Sequence, residues 1–101
     1  MNFCATRYAS RYVEGSATET DIISTGPIVL HALWVHADNF SEENIVTFYE
    51  GDGTTTLFRV NVYTLGCMGN PFEGPVLLDK GLVVEADHGI IWSVAYSDSG
   101  S

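Results

Sequence analysis

Three histidines, two cysteines and thirteen acidic residues are the side chains of this chain that could do chemistry. A metal site needs several of them on one surface, and nucleophilic catalysis needs a thiol or hydroxyl beside a base. His31 and His36 lie five residues apart on one apolar run. Strand alternation sends them to opposite faces, so the pair by itself holds no metal. The His-x-His pair with a following Glu used by jelly-roll metalloenzymes is absent, and His88 falls in a turn. Asp38, Glu42 and Glu43 share a loop, and Glu50 and Asp52 flank a turn. Calcium wants several oxygen ligands, but this spacing matches no EF-hand loop. Cys67 and His88 supply a thiol and a base without an oxyanion motif. No P-loop, dinucleotide fingerprint or Gly-x-Ser-x-Gly elbow occurs. The sequence predicts no catalytic residue, no metal site, no cofactor and no enzymatic activity.

Aromatic side chains are the other candidates. Trp34 and Trp92 lie in apolar runs and are expected in the core. Tyr49 and Tyr63 fall opposite Phe48 and Val62, where exposure would let them stack sugars or pack on a protein. Near the N-terminus Arg7-Tyr8 is echoed by Arg11-Tyr12, so Arg7 and Arg11 are half of the four basic residues. At helical spacing both Arg-Tyr pairs lie on one face; at strand spacing Tyr8 and Tyr12 share one face and the arginines the other. Tyr and Arg dominate interface hot spots, so these four residues are the expected partner contacts. A first strand with solvated arginines is the plainer alternative.

The elements that must position these residues are strands. In Ile45 to Tyr63, Val46 and Phe48 alternate with Thr47 and Tyr49, and Phe58, Val60 and Val62 with Arg59, Asn61 and Tyr63. Gly51-Asp52-Gly53 sits between them, and an Asp-Gly pair there predicts a hairpin with a tight primed turn. Residues 28–37 are the longest apolar run, with Leu30, Ala32 and Trp34 on one face and Val29, His31, Leu33 and Val35 on the other. Apolar residues on both faces predict a central strand, buried between sheets or at a subunit contact. Further short strands are expected at 21–25, 75–78, 82–86 and 90–96, separated by turns at Gly26-Pro27, Asp79-Lys80-Gly81 and Asp87-His88-Gly89. The expected fold is all-β: one small β-sandwich or jelly-roll-like domain of about 7–8 strands over residues 19–101. Residues 1–18 form the expected N-terminal arm.

Composition narrows the function classes. The 101 residues make one domain, 46% of them hydrophobic, which excludes a disordered tail. A net charge of −9 argues against nucleic acid and anionic membrane as partners. No apolar run approaches the roughly 18 residues of a membrane span, and residues 1–12 lack the apolar segment of a signal peptide. Synthesis and use without Sec export are expected, with Cys4 and Cys67 as free thiols.

From about Gly26 to Ser97 the order of features resembles a family. Gly26-Pro27 opens a long apolar strand; Ile45 to Thr54 reads IVTFYEGDGT; Lys80 to Val84 reads KGLVV; the last strand ends Val94-Ala95-Tyr96. This is similar to the small virion structural proteins of tailed bacteriophages, especially capsid decoration or cement proteins. The loop at His36 to Ser41 departs from the shorter Gly-rich loop usual there. The resemblance implies a β-rich homotrimer on the outer capsid surface, made in the host cytoplasm and bridging major capsid proteins. A tail or fibre module and a carbohydrate-binding sandwich are the alternatives.

Overall fold

The computed structural model describes residues 6–14, 18–37, 45–61, 67–68 and 75–98. Among them nine strands form: β1 (Arg7–Tyr12), β2 (Glu19–Ser24), β3 (Ile28–Ala37), β4 (Ile45–Tyr49), β5 (Thr56–Asn61), β6 (Cys67–Met68), β7 (Val76–Leu78), β8 (Leu82–Ala86) and β9 (Ile90–Asp98). All ladders are antiparallel. Each strand of the first half pairs with its mirror in the second: β1 with β9, β2 with β8, β3 with β7 and β6, β4 with β5. The chain is thus one long hairpin with its tip between β4 and β5, rolled into two layers. Ladders β3–β9 and β4–β8 then close sheet A (β1-β9-β3-β6, with β7 also on β3) and sheet B (β2-β8-β4-β5). This is jelly-roll order, and it bears out the all-β sandwich expected from the sequence.

The core lies between the sheets. Val13, Ile28, Leu30, Leu33, Val35, Ala37, Ile90, Trp92 and Val94 from sheet A meet Val46, Phe48, Leu82, Val84 and Ala86 from sheet B. Phe48 packs a tilted ring on Phe58 at 6.1 Å between centroids. β1 belongs to this structure: its six residues lie in register with β9, and Val13 beyond it is fully buried. Residues 7–12 of the expected arm are therefore an edge strand of sheet A.

Two local expectations change. The β4–β5 connection runs from Glu50 to Thr55, closed by Glu50 N–H donating to Thr55 O at 2.9 Å. Gly53 has φ of 75°, but no described non-glycine residue has positive φ, so Asp52 is not in a two-residue primed turn. Asp52 works through its side chain: Oδ1 accepts from Thr54 N (2.8 Å) and Thr55 N (2.9 Å), and Oδ2 from Thr55 Oγ1 (2.8 Å). In β3 the register against β9 shifts between Leu30 and Ala32. A bulge adds one residue and moves everything after it to the other face. Leu30 and Leu33 are consequently both buried, while Trp34 is exposed.

Candidate docking face

The bulge at His31 determines what the outer face of sheet A displays. Beyond it, Ala32, Trp34 and His36 lie opposite Ala95, Ser93 and Ile91 of β9. Those β9 residues lie in turn opposite Tyr8, Ser10 and Tyr12 of β1. Before the bulge, Val29 lies opposite Ser97 of β9 and Leu77 of β7. The outward rows therefore read Tyr12–Ile91–His36, Ser10–Ser93–Trp34, Tyr8–Ala95–Ala32, and Ser97–Val29–Leu77. No Asp, Glu, Lys or Arg occurs among these outward residues of β1, β3, β7 and β9; Glu14 lies beyond the end of β1. In a chain with thirteen acidic residues, this leaves the described outward residues of one sheet uncharged.

The face is also apolar and open. Tyr8 is 76% exposed, Leu77 64%, Tyr12 47% and Trp34 41%. Ile91 is exposed as well, whereas Ala95 and Ser97 are buried beneath their neighbours. Large side chains thus rise around a floor of Ser10, Ser93, Ala95 and Ala32. Exposed aromatic surface of this kind marks interaction sites.

The four residues singled out in the sequence divide between two tasks. Tyr8 and Tyr12 stand on the outer face. Arg7 and Arg11 belong to the opposite series of β1, as strand spacing dictates. Arg7 pairs with Asp98 at 3.1 Å, both 59% exposed. Arg11 reaches from sheet A to sheet B, bonding Asp21 at 2.6 Å and Glu19 at 3.6 Å. Sequence reading misses Trp34, because its apolar neighbours place it in the core; Trp92 is the buried tryptophan. His31 also departs from expectation. Its Nε2 lies 2.8 Å from Ser97 Oγ, in the outward series of β9, so both β3 histidines stand on the outer side of sheet A. No group of three or more His, Cys, Asp or Glu gathers among the described residues.

Sheet B carries a second, polar concavity of about 270 Å³ on its outer face, lined by Thr47, Tyr49, Thr56, Arg59, Glu85 and others. Tyr49 Oη donates to Glu85 Oε1 at 3.5 Å. Asp87 at its rim is a structural acceptor, taking Ile45 N at 3.0 Å and Thr18 Oγ1 at 2.8 Å. Tyr63, Cys4 and the loop from Asp38 to Glu43 lie outside the described residues.

No protein-family model matches the chain, and no curated protein sequence matches it. Among solved structures it is similar to a chain of the Bacillus endospore appendages, described as a novel family of disulfide-linked pili. The TM-score is 0.50 with 14% identity, over 98% of each chain. At that identity the likeness concerns the fold.

Proposed function

We propose that this chain is a non-enzymatic structural subunit that docks into a larger ordered assembly. The observation that carries this reading is the outer face of sheet A: uncharged, centred on Trp34, and flanked by Tyr8 and Tyr12. Leaving such a face in water costs free energy that a partner would recover. The similar chain comes from endospore appendages described as disulfide-linked pili, which supports an assembly role. The thiols this chain offers for a link of that kind are Cys4 and Cys67. The finer reading is a decoration (cement) protein on the outer capsid of a tailed phage, bridging major capsid proteins. It rests on the order of sequence motifs given above. Many weak copies on a repeating lattice would act through avidity.

The test is co-sedimentation with undecorated tailed-phage capsids, alongside electron microscopy of the concentrated protein. Saturable capsid binding or ordered polymers, lost in Trp34→Lys, is the expected result. Absence of both from the wild-type protein would refute the assembly role. A carbohydrate-binding reading has one observation in its favour: Tyr49 shares a concavity with Glu85 and Arg59. Saturable glycan binding that disappears in Tyr49→Ala would support it; indifference to that change would exclude this site.

A further inference from the structure

Resting on the docking reading, we propose that the occupant of the outer face of sheet A is a second copy of this chain. The two copies pack sheet A against sheet A about a two-fold axis. Three properties of the face point to a copy. The first is charge. Each chain carries −9, so two copies repel over most of their surfaces. The outward residues of β1, β3, β7 and β9 contain no Asp, Glu, Lys or Arg, so here two copies approach without opposing carboxylates.

The second property is shape. A two-fold contact must be complementary to itself. The middle of the face is a floor of small residues, Ser10, Ser93, Ala95 and Ala32, on β1, β9 and β3. Tyr8, Tyr12, Trp34 and Ile91 stand around it as exposed large side chains. A half-turn about an axis through the β9–β3 ladder sets one copy's Trp34 over the small-residue floor of the other. Sheets stacked in this way interdigitate at a spacing of about 10 Å, as within a single sandwich.

The third property is size. Strands β1, β9, β3 and β7 hold 6, 9, 10 and 3 residues; at about 3.4 Å per residue and about 4.8 Å between strands they present roughly 450 Å² per copy, or roughly 900 Å² for the pair, which falls in the range of weak, transient contacts. The contact is thus of the size that suits a weak, reversible dimer.

Sedimentation equilibrium of the full chain across a dilution series tests this. The expected result is a reversible step from 11.0 kDa to twice that mass. Trp34→Lys sets a charge against the apolar face of the partner and weakens the dimer at least about thirtyfold, as expected at an interface hot spot. Tyr8→Lys, at the most exposed position of the face, weakens it in the same direction and serves if Trp34→Lys fails to fold. Ile22→Lys, exposed on sheet B, leaves the dimer intact. Dissociation by Ile22→Lys but not by the sheet A variants overturns the proposal. So does a trimer that is insensitive to Trp34→Lys. A monomer at every concentration that still loses capsid binding in Trp34→Lys overturns the copy as occupant while leaving the docking role standing. A monomer whose capsid binding ignores Trp34→Lys removes both.

Discussion

Arg11 and Asp21 join the two sheets of the sandwich: Nη1 of the guanidinium donates to Oδ1 of the carboxylate at 2.6 Å, from edge strand β1 to edge strand β2. Asp21 is 28% exposed at its side chain, and its second oxygen is buried without a protein hydrogen-bond partner among the described residues. Removing the guanidinium would leave that carboxylate poorly compensated. Arg11→Met should therefore lower stability by about 1–2 kcal/mol, an amount discounted for partial exposure. Arg7→Met should change it little, because its pair with Asp98 is largely solvated. Thermal unfolding of the two variants checks this. Equal midpoints would show that Arg11 is not a clasp, and would return it to the set of partner contacts.

One end of the sandwich is closed by backbone rather than side chains. A Cβ on Gly51 would stand 1.9 Å from the carbonyl oxygen of Lys80, and one on Gly81 would stand 2.2 Å from that of Ser24. Gly81 also has φ of 91°, a conformation that L side chains rarely adopt. The β4–β5 tip, the β7–β8 turn and the end of β2 thus meet with no space for a methyl group. Gly81→Ala should cost about 2 kcal/mol or more. Gly53→Ala should cost less: its φ of 75° is unfavourable, but nothing lies within 4 Å of its Cβ position. Denaturant midpoints rank the two, and a Gly53→Ala defect as large as that of Gly81→Ala would refute the close-approach account.

The hairpin tip supplies a pH signature. Thr55 and Thr54 backbone N–H groups, with the Thr55 hydroxyl, hold the Asp52 carboxyl down at about 2 from the ordinary 3.8. A depressed carboxylate contributes stability that is present above its unfolded value and lost as pH falls through its folded value. The contribution is therefore complete above about pH 4 and fades toward about pH 2. Asp52→Ala should destabilise the tip at neutral pH, and the gap from wild type should close on acidification through that window. A gap that stays constant between those values would show that the carboxylate charge is not what the threonines recognise.

The fold was legible where polarity alternates cleanly. Val46 and Phe48 against Thr47, and Ile90, Trp92 and Val94 against Ser93, fix which face is buried, and the turns at Gly81 and Gly89 carry positive φ where the sequence places breaks. The bulge at His31 was not legible, because residues 28–37 are apolar in both phases and either register satisfies the pattern. That ambiguity hid the exposure of Trp34, and with it the centre of the aromatic outer face. That Tyr8 and Tyr12 share one face was legible from the spacing of the Arg-Tyr repeat once it is read as a strand. The use of Arg11 was not, because its partners belong to the other sheet and only rolling the long hairpin brings β1 beside β2.

Ionic strength separates an uncharged contact from a charged one. Between copies that each carry −9, long-range repulsion opposes association, and salt shortens its reach from about 30 Å at 0.01 M to about 8 Å at 0.15 M. A face built of Tyr8, Tyr12, Trp34, Ile91 and Leu77 has no ion pair for salt to weaken, and excluded salts such as sulfate strengthen apolar burial further. Self-association should therefore tighten severalfold over that range, and sulfate should exceed chloride at matched ionic strength. Sedimentation equilibrium in a salt series reads this directly. Association that weakens with salt would mean that charged groups at the sheet edges, such as Arg7 and Asp98, carry the contact instead.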